Sequence, residues 1–186
     1  MSRKDFGAKP YSFPQPVFII AAYDEDGTPC AMNAAWCGIS GPSEVAMHLS
    51  AGHKTVKNIL VKKAFTISMA DAAHVAQCDY LGCATGNKVK DKLAVVQMSV
   101  TKSDKVDAPI LDDLAVCMEC RLISYDAQSG IMKGEIVNVS VDETALTDGK
   151  VDVSKVAPIS FDPFNNTYHV LGEKVGDAWG AGKKYM

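Results

Sequence analysis

The sequence has no surplus of positive charge. Its 19 Lys and Arg stand against 22 Asp and Glu, a formal net charge of −3. Gripping nucleic acid by phosphate neutralisation needs the opposite balance, so no nucleic-acid partner is expected, although a small local basic pocket is still allowed. Long apolar runs are also missing. The strongest early one, Val17 to Tyr23, falls far short of the about 20 residues that a membrane-spanning helix needs, so no membrane partner is expected. The opening stretch MSRKDFGAKPYSFPQP contains no apolar h-region, which predicts no signal peptide and a cytoplasmic protein. Six cysteines in that setting are expected as reduced thiols and not as a disulfide framework. There is no Walker spacing, no Rossmann fingerprint and no G-x-S-x-G elbow. His48, His53, His74 and His169 form no ligand cluster in sequence, and no internal repeat or low-complexity tract stands out.

What is there is an ordinary globular balance, 47% hydrophobic and 22% charged, in a chain of 186 residues, long enough for one domain with a real core. Pro10, Pro14 and Pro16 predict an extended lead-in. VFIIAAY and CAMNAAWCGIS read as two strands of a hairpin turned by DEDG, with Gly27 free to take positive φ. EVAMHLS alternates, placing Val45, Met47 and Leu49 on one face. Helical spacing follows from about Lys54 to Lys63, then a strand, AFTISMA, then a second helix ending near Gly82. LAVCMECRLISYDA and GIMKGEIVNVSVD predict a long antiparallel hairpin, with PISFDP and TYHVLG as shorter strands and an irregular glycine-rich tail. KDKLAVVQMSVTKS reads ambiguously. Strands outnumber helices and are joined by turns, which favours a closed or partly closed antiparallel barrel.

Four stretches are candidates for chemistry. In NAAWCGIS, Asn33, Ala34, Ala35 and Trp36 leave room for a flat ligand to approach the backbone, or else form a tightly packed strand crossing. In SAGHKTVKNIL, Ser50, Lys54 and Thr55 sit where a helix begins, a plausible seat for an anion or simply an N-cap. In GCATGNKVKDK, Thr85, Gly86 and Lys92 offer N–H groups and charge, against the alternative of a solvated surface loop. The fourth is cysteine: Cys117 and Cys120 form a C-x-x-C, with Cys78 and Cys83 upstream. On a strand, positions three apart face opposite ways, which argues against a zinc or thiol-switch site built on that pair.

Taken in order, YSFPQPVFIIAAYDEDGTPCAMNAAWCGIS, LSAGHKTVKNILVKKAFTISMA, HVAQCDYLGCATGNKVKDK, MECRL, KGEIVNV and PISFDPFNNTYHVLGEKVGDAW resemble the flavin reductase-like proteins with an FMN-binding split barrel, the flavoredoxin group in particular. The match runs over nearly the whole chain, 1–186, as a single domain. It implies a mainly β antiparallel split barrel with short helices. It also implies an FMN near the interface of a homodimer, and a reduced nicotinamide or redox-protein electron donor. Asn33, Ala34, Ala35 and Trp36 match the strand that lies along the flavin and ribityl chain. Ser50, Lys54 and Thr55 match the phosphate region; Thr85, Gly86 and Lys92 match the closing loop; Phe161 matches an aromatic position near the flavin. Where many relatives have Ser-Gly, this chain has Thr85-Gly86, and NKVKDK is one residue longer than the pattern. Lys88 and Lys92 therefore compete for the cofactor, with Lys92 preferred for its place in an Asp-Lys pattern. The flavin carries the redox step, so no catalytic protein residue and no metal ligand is expected. The alternatives are a non-catalytic FMN electron-transfer module and, from a different class, a zinc or thiol-switch protein.

Overall fold

The computed structural model describes residues 2–186. In chain order the elements are β1 (Gln15–Pro16), β2 (Phe18–Tyr23), β3 (Pro29–Ala34), β4 (Cys37–Gly41), β5 (Glu44–His48), α1 (Lys54–Lys62), β6 (Ala64–Met69), α2 (Val75–Cys83) and α3 (Lys92–Val95). There follow β7 (Val100–Lys102), β8 (Pro109–Leu111), β9 (Val116–Asp126), β10 (Ile131–Val141), β11 (Leu146–Thr147), β12 (Lys150–Val151), α4 (Val153–Val156), β13 (Ile159–Asp162) and β14 (Thr167–Val170). Among the described residues no helix is long and apolar enough to cross a membrane.

Seven strands form one antiparallel sheet in the order β3-β2-β6-β9-β10-β5-β4. Its two edges, β3 and β4, are consecutive in the chain and are joined only by Ala35 and Trp36. Three Cα steps span no more than about 11 Å. The sheet must therefore curl until its edges nearly meet, which makes the half-barrel expected of a split barrel. CAMNAAWCGIS is thus not one strand. The backbone turns where Cys37 N donates to Ala35 O at 3.0 Å.

The core has two sides, and β2 serves both. Phe18, Ile20 and Ala22 join Met47, Leu49, Phe65, Ile67 and Met132 on one face, where α1 inserts Val56 and Ile59. Ile19 and Ala21 join Cys78, Leu81, Leu93, Leu111 and Ile159 on the other, under α2, α3 and β13. A strand buried on both faces reads as a continuous apolar run, which is why VFIIAAY shows no alternation. The DEDG turn forms as expected, with Gly27 at φ 86° and Asp24 Oδ1 accepting from Thr28 N at 2.9 Å. α1 ends in a left-handed Lys63, φ 57°. The ambiguous KDKLAVVQMSVTKS resolves into the single turn α3 and β7. Asp91 caps that turn by accepting from Ala94 N at 2.9 Å. A small sheet, β1-β13-β14, stands beside the main one, and the tail is largely irregular.

The glycine in MKGEI has a packing reason. A Cβ at Gly134 would lie 2.4 Å from the ring of the fully buried Phe65, which has no free space to retreat into. Gly134→Val is expected to lower unfolding stability by roughly 1–3 kcal/mol. Thermal or urea denaturation checks this, and an unchanged midpoint would refute it.

Candidate functional site

A cleft runs along the face of β3 that carries Asn33, walled by the start of α1, the end of α2 and the loop that follows α2. Its inner part is a cavity of about 160 Å³ lined by Asn33, His53, Lys54, Thr55, Gly82, Thr85, Gly86 and Lys92, among others. Its outer part is a second cavity of about 220 Å³, lined by Asn33, Ala35, Asp79, Gly82, Cys83, Phe161 and Tyr168. The two share Asn33, Gly82 and Cys83, so they lie side by side.

Close packing shapes the floor. Asn33 donates from Nδ2 to Cys78 O at 3.2 Å, tying β3 to α2. A Cβ on Gly82 would come within 3.0 Å of Asn33 Cβ, so a larger residue there would push helix and strand a few tenths of an ångström apart. Gly86 lets the loop rest on its neighbours: a Cβ there would meet Cys30 Sγ at 2.9 Å and Lys54 Cβ at 3.1 Å. Thr55 is 2% exposed, its hydroxyl 3.5 Å from Cys30 Sγ.

The charges at the inner end are arranged, not scattered. Lys92 is 3% exposed and donates from Nζ to Leu81 O at 2.7 Å and Ala84 O at 2.9 Å. These are carbonyls at the C-terminus of α2, where a cation complements both the orphan acceptors and the helix dipole. Burial holds the Lys92 pKa below its ordinary value. Lys54, at the first turn of α1, pairs with Asp24 at 3.5 Å. His53, the residue before α1, has its pKa lowered, first by burial and then by the Lys92 ammonium.

At the outer end, Asp79 accepts from two directions. Tyr168 Oη donates to Asp79 Oδ1 at 2.8 Å, joining β14 to α2, and Cys83 Sγ lies 3.7 Å from Asp79 Oδ2. Burial, then the Asp79 carboxylate, push the Tyr168 pKa up to about 12. The Cys83 thiol is raised mainly by the charge of Asp79.

Of the residues singled out in the sequence, Asn33, Lys54, Thr55, Thr85, Gly86 and Lys92 line the inner cavity, and Asn33, Ala35 and Phe161 the outer one. Ala34 packs against the main core. Trp36, 44% exposed, stands at the corner between β3 and β4 and lines neither cavity. Ser50 lies in the turn before α1, accepting from Gly52 N at 3.4 Å, and also lines neither. Lys88 is exposed and outside the cleft, whereas Lys92 is inside it. The sequence reading passed over Asp79 and Tyr168, and weighed Cys83 and His53 only as metal or thiol groups. Asp79 and Cys83 are four apart on α2, so helical spacing was a usable signal for them. Tyr168 reaches Asp79 across 89 residues, and nothing local marks it.

The four cysteines of the zinc alternative are not gathered. Among the described residues no group of three or more His, Cys, Asp or Glu could hold a metal ion. Cys117 and Cys120 are both buried on β9, and burial pushes their thiols up to about 11 and about 12.

Against this geometry, a model of the flavin reductase-like domain matches residues 11–163. The chain belongs to that flavin-binding family. Flavoredoxin of Desulfovibrio vulgaris (Miyazaki F) is 35% identical and superposes with a TM-score of 0.93, over 98% of this chain and 100% of that one. Flavoredoxin from Methanosarcina acetivorans is 24% identical, with a TM-score of 0.90 over 100% of both chains. An FMN-binding domain of a flavin reductase-like enzyme from Shewanella baltica shares the split-barrel fold at 17% identity and a TM-score of 0.79, over 88% of this chain and 89% of that one.

A thiol with a raised pKa holds less thiolate at a given pH and reacts more slowly. Cys83 is therefore expected to alkylate more slowly at pH 8 than an unperturbed thiol, and faster in Asp79→Asn. Peptide mapping after timed iodoacetamide labelling checks both, and equal rates in the two proteins would contradict the assignment.

Proposed function

We propose that this member of the family is an FMN flavoprotein oxidoreductase, in the cytoplasm, that passes electrons from a reduced nicotinamide or a protein donor through bound FMN. The observation that carries the reading is a cationic, donor-rich inner cavity adjoining an outer one walled by Ala35, Phe161 and Tyr168. The FMN phosphate carries about −1.5 to −2 charges near neutral pH, as other phosphomonoesters do. Lys54, the Thr55 hydroxyl, the first N–H groups of α1 and the remaining N–H of Lys92 would hold it. Gly82 and Gly86 let α2 and the loop after it pack close against Asn33, Cys30 and Lys54, which shapes the walls of the site. Asn33 and Ala35 would face the ribityl chain and ring, with Phe161 as an aromatic neighbour.

When bound, FMN supplies the redox centre; the protein supplies orientation and electrostatics. Lys54 is shared with Asp24, so its grip on phosphate is partial and adjustable. Lys92 cannot swing away, because two of its donors hold the end of α2. The Asp79 carboxylate at the outer end would disfavour further negative charge in whatever part of the ligand lay beside it. Six free cysteines suit a reducing compartment. A homodimer suits the exposed Trp36 and Ile39, 44% and 64% exposed, beside the cleft residue Ala35. A second copy over them would bring the interface to the mouth of the cleft.

The protein purified without added flavin is expected to be yellow and to release FMN identified by mass spectrometry, or to take up FMN when it is supplied. A colourless protein that binds no added FMN overturns the reading. Oxidation of NADH or NADPH with turnover separates an enzyme from a passive electron-transfer module. Lys54→Ala combined with Thr55→Ala is expected to weaken FMN binding by roughly ten- to a hundredfold, the loss of one or two charge-assisted contacts. Unfolding midpoints measured alongside should move much less; equal losses of binding and stability would mark the pair as helix-start residues only.

A further inference from the structure

One titratable side chain at the inner end has no task in the FMN reading. His53 is the residue before α1 and lines the inner cavity with Lys54, Thr55 and Lys92. Its backbone is already used: His53 N donates to Ser50 O at 3.1 Å, and His53 O accepts from Lys57 N at 3.2 Å. Its side chain makes no capping hydrogen bond to the helix it precedes. Ser, Thr, Asp or Asn in this place would satisfy a free N–H of the first turn. An imidazole leaves those N–H groups to whatever enters the cavity.

The groups around the imidazole are mostly cationic. α1 contributes Lys54 and Lys57, α3 contributes Lys92, and the end of α2 contributes the Cys83 thiol. From the β2–β3 side come Asp24, which is paired with Lys54 at 3.5 Å, and Cys30, whose Sγ lies 3.5 Å from Thr55 Oγ1. Lys92 and Lys57 donate to neutral oxygens, of Leu81, Ala84 and Asn87, so no carboxylate offsets their charge. Among the described residues that line the cavity there is no Asp or Glu. These surroundings oppose a further positive charge, and the His53 pKa is lowered, by burial first and by the Lys92 ammonium second.

We propose that His53 is a proton-coupled ligand of the FMN phosphate: it takes up a proton as the phosphate binds, so that flavin affinity depends on pH. The proposal rests on the FMN reading above. A dianion in the cavity reverses the local field, because a negative charge within about 4–6 Å favours the charged imidazole that Lys92 disfavours. One proton passes from buffer to the ring, and both ring nitrogens become N–H donors. The sign follows. The imidazole pKa is lowered in the free protein and raised in the complex. Between those two values binding takes up a proton, and affinity rises as pH falls. His53 is exposed, at the rim of the cavity, so its replacement does not disturb the core.

The test is calorimetric titration of flavin-free protein with FMN, for the wild type, His53→Gln and His53→Arg. Two buffers of different ionisation enthalpy at about pH 7 give the proton count, and runs at about pH 6.5 and about pH 8 give the affinities. The wild type is expected to take up about 0.3–0.8 proton more per FMN than His53→Gln, a difference that cancels the ionisation of the phosphate itself. It is expected to bind about three- to tenfold more tightly at the lower pH, a dependence that His53→Gln loses. His53→Arg, permanently charged, is expected to bind tightly at both pH values without the extra uptake. Equal proton counts in the wild type and His53→Gln overturn the proposal and leave the FMN reading standing. Should His53→Gln bind too weakly to measure, equal counts in the wild type and His53→Arg overturn it in the same way. A wild type that binds no FMN overturns both readings together.

Discussion

A buried ammonium organises the cleft. Lys92 spends two of its donors on the carbonyls of Leu81 and Ala84, and in doing so it ends α2, anchors the loop containing Thr85 and Gly86, and places a positive charge beneath the inner cavity. A lysine is rarely so deeply buried unless its hydrogen bonds are made, and here helix-terminal carbonyls make them. Asp91 fixes the geometry by capping the turn that begins with Lys92, so the adjacent pair works as one device: the carboxylate sets the backbone and the ammonium reaches inward. The remaining cleft features depend on this placement, including the close seat of Gly86 on Cys30 and Lys54.

Charge falls off along the cleft. The inner end gathers Lys54, Lys92 and the start of α1; the outer end carries Asp79, braced by Tyr168. A ligand with an anionic tail and a flat, largely neutral head fits only one way round in such a field, since reversing it would set its anion against a carboxylate. Orientation of such a ligand would therefore come from electrostatics at the two ends, with the polar amide of Asn33 between them. His53 completes the inner end with an imidazole whose pKa is lowered by burial first and by the Lys92 ammonium second.

Much of the fold could be read from local pattern. The hairpins, the alternating β5 and the amphipathic α1 follow from periodicities of two and 3.6 residues, and the turn at Gly27 from its chemistry. The break between β3 and β4 could not be read this way. Ala34, Ala35, Trp36 and Cys37 are compatible with a continuous strand, and only the curl of the whole sheet demands a corner there. At the site, the residues visible in the sequence were those on α1 and in the glycine-containing loop, where helix starts and small residues give a signal. Lys92 was visible as a charge but not as the group that ends another helix, because that role depends on where α2 stops relative to α3. Asp79 and Tyr168 meet only through the packing of β14 on α2, a long-range fact with no local trace. Ala34 and Trp36 sit beside cleft residues in the chain yet line neither cavity, since one step along an extended chain reverses the side; Ser50 lies in the turn before α1, three residues short of the first lining residue of that segment, His53.

Strand β2 sends alternate side chains into two separate cores, one filled by α1 and the other covered by α2 and α3. Neither side of the sheet can loosen without stripping packing from the strand that the other side also needs. The helices that wall the cleft are thereby mechanically coupled through a shared spine, and the molecule has no natural seam along which the half holding the anion end could melt while the half-barrel interior stays folded.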